Sequence, residues 1–404
     1  MEPMPMEALL QAVSARTEEE KQAVIARILE TGDFFEDDMA RFKNGAWKHR
    51  FKDRIIHHHP YRLAGESAIV QDVPVAQDMA LVARVAEAYR KALLTPLGST
   101  NNMWLGDLSN AKSKDHQILQ GTDLEAIAAM LRDPASTMLF YGFDLIQQQV
   151  VAHNKSTGWV KWLHHFAYDN LLQITRAMGA RRVENPEATV DYTDTPGVEE
   201  LLEQLDAKMG FRVDFPNIFP GETGFMTSRG VVSYRAVQAL YHVWRIKSLV
   251  GGASGARVLE VGAGLGRTAY YAMKMGVERY TIIDIPLTGV AQGYYLGRVL
   301  GEGMVGLWGE GSGAPVRILP PVAYRELCER YDLVLNIDSL TEMSEDTARD
   351  YIEGAPRLAR QFFSVNHEYN AFTVESLYRD NPRIKSWRAP CWARKGYVEE
   401  WLDL

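Results

Sequence analysis

The residues best arranged for chemistry lie in Val258-Leu259-Glu260-Val261-Gly262-Ala263-Gly264-Leu265-Gly266-Arg267-Thr268-Ala269. A short apolar run enters a glycine-rich turn and leaves it as a helical pattern. Glycines at such a turn let the backbone bend tightly and let a ligand approach it closely. Dinucleotides and S-adenosylmethionine are the two ligand classes held in this way. A dinucleotide loop reads G-x-G-x-x-G, and its third glycine would fall at Arg267. This chain has Gly262, Gly264 and Gly266 instead. Glu260 stands just before the turn, where a carboxylate repels a pyrophosphate and suits a cationic amino-acid group. The next apolar run reaches Asp284. An acidic residue there can accept both hydroxyls of a ribose, and both cofactor classes use one.

Further ionisable groups fall where later apolar runs end. Asp338 and Glu342 follow YDLVLNI (331–337), and His367 and Glu368 follow or close QFFSVNH (361–367). Histidine is the side chain whose ordinary titration best suits base work at neutral pH. Asp338 has other uses, as a helix cap or a partner for an ammonium group. Glu342 can also be read as a first-turn acid favoured by a helix dipole. A hard-cation site needs several oxygen ligands converging, so Asp338, Glu342 and Glu368 would have to meet. A divalent metal is compatible with this set, but no metal ligand is assigned.

These residues need strands and helices to position them. The runs 256–262, 279–285, 316–319, 331–337 and 361–367 read as buried strands separated mostly by helical stretches, which argues for a doubly wound α/β sheet. The stretch 383–404 reads as two more strands. The first half reads as mostly helical, over 5–31, 72–95, 122–132 and 157–179, with Thr122 as an N-cap and Glu125 completing a capping box. Turn signals cluster at Asn185-Pro186, Thr195-Pro196, Phe215-Pro216 and Phe219-Pro220-Gly221. The division is therefore placed between a mostly helical region, 1–228, and an α/β domain, 229–404. A helix over 231–249 leads into the first strand of that domain.

The segments VLEVGAGLGRTAYYA, YTIIDIP with QGYYLGRVLG, YDLVLNIDSLTEMS and FFSVNHE resemble class I S-adenosylmethionine-dependent methyltransferases. More narrowly, they resemble the sugar O-methyltransferases found near bacterial polysaccharide and glycosylation genes. The resemblance is strongest over about 230–404 and implies a Rossmann-like methyltransferase fold with S-adenosylmethionine as cofactor. On it, Glu260 with Gly262, Ala263, Gly264 and Gly266 would hold the methionine and ribose end. Asp284 would hold the ribose hydroxyls, with Ile285 against the adenine. Asn336 to Met343, including Asp338 and Ser339, would lie across the cofactor from the acceptor. Tyr234 and Arg235 would cover the cofactor. Leu265 stands where many relatives carry an aromatic residue. The catalytic candidates are His367, Asp338 and Glu342. The implied activity is methylation of a hydroxyl on a sugar or glycosylated metabolite. Natural-product or amine methylation, a catalytically silent scaffold of glycan assembly, and a nicotinamide-dependent oxidoreductase are the alternatives.

Composition excludes other classes. Lys and Arg total 44 against 52 Asp and Glu, a net charge of −8, so no bulk positive charge draws the chain to nucleic acid. Only Cys328 and Cys391 are present, too few for a disulfide framework or a Cys-rich zinc site. No apolar leader and no run of about 18 apolar residues occurs. The expectation is a soluble cytoplasmic protein whose N-terminal half supplies acceptor contacts and leaves room for a homodimer interface.

Other clusters invite structural readings first. His57-His58-His59 reads as a polar loop. His164-His165 reads as one core-facing and one surface-facing residue of a helix. Trp104 to Ser109 and Lys112 to His116 read as a surface loop, with sugar stacking on Trp104 as the functional option. Arg383, Lys385, Arg388, Arg394 and Lys395 read as the solvated face of an edge hairpin, with phosphate binding as the option.

Overall fold

Val258, Leu259 and Val261 are completely buried, as are Ile282, Ile283, Leu333, Val334 and Leu335. Runs buried on both faces form the middle strands of a parallel sheet, because helices must cover each side. The computed structural model describes residues 64–96, 103–146, 157–183, 196–311 and 313–404. The helix expected over 5–31 and the triple histidine at 57–59 lie outside the described residues.

The first part of the described chain holds β1 (Ser67–Ile69), α1 (Met79–Ala92), α2 (Asp107–Ala111), α3 (Ser113–Gln120), α4 (Leu124–Arg132), α5 (Thr157–Ala177) and α6 (Val198–Met209). The hairpin β2 (Thr223–Thr227) and β3 (Gly230–Val232) follows, then α7 (Tyr234–Leu249). The α/β part runs β4 (Arg257–Val261), α8 (Arg267–Lys274), β5 (Arg279–Ile283), α9 (Pro286–Leu300), β6 (Val305–Gly306), β7 (Val316–Leu319) and α10 (Ala323–Glu326). It ends with β8 (Leu333–Ile337), α11 (Glu345–Leu358), β9 (Gln361–His367), α12 (Val374–Tyr378), β10 (Lys385–Pro390) and β11 (Tyr397–Asp403).

The larger sheet has eight strands in the order β10-β11-β9-β8-β4-β5-β7-β6. From β6 to β9 all neighbours pair parallel, while β11 runs antiparallel to both β9 and β10. This is the doubly wound, Rossmann-like arrangement, with the chain reversing its direction of build between β4 and β8. Ligands bind such sheets at that switch point, beyond the carboxyl ends of the strands.

The N-terminal region does not keep a core of its own. One apolar cluster includes Leu81, Leu163 and Leu202 together with Val258, Tyr280 and Tyr294. The line between 228 and 229 falls in the turn of the β2–β3 hairpin, which pairs with β1. The N-cap of α4 is Asp123 rather than Thr122. Its Oδ1 accepts from the amides of Glu125 and Ala126, both at 3.1 Å. His164 and His165 are both buried, because α5 is enclosed on more than one side. Among the described residues no helix is long and apolar enough to cross a membrane.

Candidate functional site

The cavity at the switch point is lined by the glycine turn, the ends of β4, β5 and β8, and residues from the N-terminal region and α7. The glycine turn is shaped by close approach. Gly262 has φ +74°, and a Cβ there would stand 2.0 Å from Ser339 Oγ. Ser339 donates to the Val261 carbonyl at 3.1 Å and accepts from Asn336 Nδ2 at 2.6 Å. These bonds tie the ends of β4 and β8 together, so only glycine fits between them. Gly266 has φ +89° and is the N-cap of α8.

Glu260 is buried at the end of β4, and Tyr280 donates to its Oε2 at 2.8 Å. Burial, with Asp284 adding to it, pushes this carboxyl up to about 8. Among the described residues Oε1 has no hydrogen-bond donor. A cationic group arriving in the cavity would supply the missing partner. Asp284 stands just beyond β5. Its Oδ1 accepts from the amide of Ile285 at 2.8 Å, and its Oδ2 accepts from the amide of Ala263 at 2.9 Å. Gln292 of α9 donates to the same Oδ2 at 2.6 Å and to the Gly264 carbonyl at 2.9 Å. Burial raises Asp284 to about 6 against the pull of these donors. A carboxylate has about four acceptor positions, so one remains for a ligand. Gln292 was not anticipated from sequence; its only signal is a place on the helix that follows Asp284.

The other end of the cavity gathers residues far apart in sequence. Asp338 is the one non-glycine residue with positive φ, +56°, among the described residues. Such a conformation is held only where surroundings over-determine it. Its Oδ2 accepts from Arg394 Nη2 at 2.7 Å and from the Tyr397 hydroxyl at 3.1 Å. Its Oδ1 is buried with no hydrogen-bond partner among the described residues. Glu342 sits in a short 3-10 turn, Leu340–Glu342, and its Oε2 accepts from the indole N–H of Trp104 at 2.8 Å. Burial, then the nearby Asp338 charge, pushes Glu342 up to about 7. Neither acid caps α11; Ser344 does, accepting from the amide of Thr347.

His367 closes β9 with its Nε2 3.9 Å from Asp338 Oδ1. Its Nδ1 accepts from the amide of Tyr369 at 3.3 Å. That bond assigns the proton of the neutral ring to Nε2, as inferred from the network. The ring is not among the cavity-lining groups, so His367 reaches the cavity through Asp338. Tyr234 also stands back from the cavity, its ring tilted 40° against Phe166 with ring centres 4.6 Å apart. Arg235, Ser339, Ala263 and Ile285 do line it.

Asp338, Glu342 and His367 each offer a ligand-type atom, all within 4.8 Å of one another. Their positive neighbours weigh against a divalent cation, although Asp338 Oδ1 has no hydrogen-bond partner among the described residues. Arg394 and Trp104 already occupy Asp338 Oδ2 and Glu342 Oε2, and two guanidinium groups stand alongside. Glu368 takes no part, since Arg388 pairs with it at 2.6 Å.

Three residues have places that sequence reading did not assign. Trp104 lies at the cavity rather than on a surface loop, with Lys112 Nζ 5.3 Å from its ring centre. Arg394 is buried, whereas Lys385 and Arg388 of the same hairpin are exposed. Arg267 stands where a dinucleotide loop would carry its third glycine. It bridges to Glu222 at 2.8 Å and Asp144 at 3.3 Å, locking the N-terminal region onto α8.

No family model and no curated protein matches the chain. Among solved structures, the chain is similar to the magnesium protoporphyrin IX methyltransferase of Synechocystis PCC 6803 with bound SAM, at 16% identity and a TM-score of 0.30. That match covers 42% of this chain and 84% of the other. It is similar to the ribosomal protein L11 methylase of Lactobacillus delbrueckii subsp. bulgaricus at 13% identity and a TM-score of 0.31, over 42% and 78%. A DhpI–SAH complex gives 11% identity and a TM-score of 0.31, over 42% and 85%. These are likenesses over less than half of the chain, and the functional reading rests on the site itself.

Proposed function

We propose that the protein is an S-adenosylmethionine-dependent O-methyltransferase acting on a hydroxyl of a sugar or sugar-like small molecule. The observation that carries this reading is the pair of buried carboxylates on either side of the glycine turn. Glu260 presents an oxygen without a partner among the described residues for an ammonium group, and Asp284 keeps an acceptor position for a ribose hydroxyl. A pyrophosphate would meet the charge of Asp284, and the protonated Glu260 would offer it no cation.

When bound, the cofactor supplies an electrophilic methyl group on a sulfonium centre, displaced in line by the acceptor oxygen. The chain's own part is to orient the acceptor and to take its proton. Glu342 is the group suited to the proton, because its carboxyl titrates near neutrality and lines the cavity. General-base help of this kind contributes about 10²–10⁴-fold. Trp104 holds the Glu342 carboxylate through Oε2, leaving Oε1 to face the acceptor. His367 and Arg394 position Asp338, which supports the same end.

The test is calorimetric titration of the full chain with S-adenosylmethionine, with an Asp284→Ala variant and a nicotinamide dinucleotide as controls. Micromolar binding by the wild type that weakens in the variant is expected. Binding of the dinucleotide alone would overturn the reading. A panel of sugars and glycosides, assayed with and without Mg²⁺, then tests the acceptor class.

A further inference from the structure

Three enclosed arginines of this fold have carboxylate partners. Arg267 pairs with Glu222 and Asp144, Arg394 with Asp338, and Arg229 with Asp206 at 2.8 Å. Arg235 differs. It lines the cavity from the first turn of α7, yet it makes no ion pair and no hydrogen bond with any described residue. Its Nε is buried and unsatisfied. Its one contact of note is the ring of Tyr234, 5.3 Å from its guanidinium carbon. A cation held in an enclosed site without a counter-charge is costly.

Asp338 attracts Arg235 but makes no ion pair with it. Asp338 is already matched by Arg394 at 2.7 Å. Glu342 is pushed by burial towards its neutral form. The surplus at this end of the cavity is therefore the positive charge of Arg235. Its field reaches Asp338 and Glu342, while Tyr280 and Asp284 are the groups that act on Glu260 at the glycine-turn end. Arg235 thus faces the acceptor side rather than the side where Glu260 waits for a cation.

We propose that Arg235 is an anion-binding residue for the acceptor, which carries a carboxylate or phosphate group beside the hydroxyl that is methylated. This rests on the methyltransferase reading and narrows its acceptor to acidic sugars: uronic acids or sugar phosphates. The planar guanidinium offers paired N–H donors that match carboxylate or phosphate oxygens bidentately. It would set the acceptor's orientation from one end while Glu342 addresses the hydroxyl at the other.

The experiment uses the full chain saturated with S-adenosylhomocysteine. It is titrated with methyl glucuronide against methyl glucoside, and with glucose 1-phosphate against glucose. The acidic member of each pair is expected to bind about tenfold tighter or more. Arg235→Gln should abolish that preference and Arg235→Lys should retain part of it, with folding of both variants checked by thermal melting. Equal binding of acidic and neutral members, or no Arg235-dependent binding of either acid, overturns the proposal. So does a variant that loses S-adenosylmethionine but keeps its decarboxylated analogue, since Arg235 would then hold the cofactor's own carboxylate. Failure of the wild type to bind S-adenosylhomocysteine is a separate outcome, and it removes the methyltransferase reading itself.

Discussion

At the glycine-turn end of the cavity, each polar contact joins neighbouring strand ends or the helix that follows. Glu260 meets Tyr280 and Asp284 meets Ala263 and Gln292, all within 21 residues. At the opposite end the contacts span the chain: Arg394 reaches Asp338 across 56 residues, and Trp104 reaches Glu342 across 238. The first end follows from a short motif in a parallel sheet. The second exists only once the N-terminal region has closed over the sheet and the β10–β11 hairpin has joined its edge. On the proposed function, such a division lets one scaffold keep its cofactor end while the far end is rebuilt for a different acceptor.

The largest expected effect lies at the far end. Glu342→Gln should lower kcat by about 10²–10⁴-fold with S-adenosylmethionine affinity little changed. Steady-state kinetics on an accepted substrate, with calorimetry alongside, checks it. If cofactor binding falls instead, the two ends are not separable in this way.

Next comes the bridge between the regions. Arg267→Met leaves Glu222 and Asp144 buried without their cation and should cost about 3–5 kcal/mol of stability. Urea denaturation reads this. A much smaller loss would mean that the N-terminal region is held on mainly by the shared apolar core.

At the glycine-turn end, Gly262→Ala forces a Cβ against Ser339 in a left-handed conformation and should weaken S-adenosylmethionine binding more than tenfold, on the order of one hydrogen-bonded contact to a charged group. Calorimetry measures it. Unchanged affinity would separate the turn from the cofactor.

Trp104→Phe sharpens the contrast further. The indole N–H favours the charged form of Glu342, so its loss raises that carboxyl's pKa. The acidic limb of the pH–rate profile should move to higher pH by up to about one unit. A profile that does not move would exclude Glu342 as the base.

A last contrast concerns Glu260. It holds its proton in the folded state up to about pH 8, against an ordinary value of 4.5. Between those values the folded state binds more protons than the unfolded chain, so this contribution to stability falls as pH rises through the interval. Thermal melts from pH 5 to 8 should show that decline, and Glu260→Gln should flatten it. The same proton should be released when S-adenosylmethionine binds at pH 7, read from calorimetry in buffers of different ionisation enthalpy.

Much of the α/β part was legible because buried parallel strands are continuous apolar runs and the glycine turn interrupts them once. The strands 316–319 and 361–367 match their expected bounds, and β4, β5 and β8 differ from theirs only at the ends. The residues gathered at the far end were less so. His164-His165 read as half exposed because helical periodicity cannot see that α5 is enclosed on several sides. Arg394 read as part of a solvated hairpin because β10 is exposed, but the turn after it carries Arg394 inward to Asp338.

The sequence by itself determined the sheet, the glycine turn and the two carboxylates beside it, because these depend on local pattern and on strand ends that adjacency brings together. Only the tertiary structure decided that Trp104 holds Glu342, that Asp338 is shared by Arg394, Tyr397 and His367, and that Arg235 has no ion pair among the described residues. Those facts depend on long-range closure and on which charges are buried side by side, and neither is encoded in the spacing of residues along the chain.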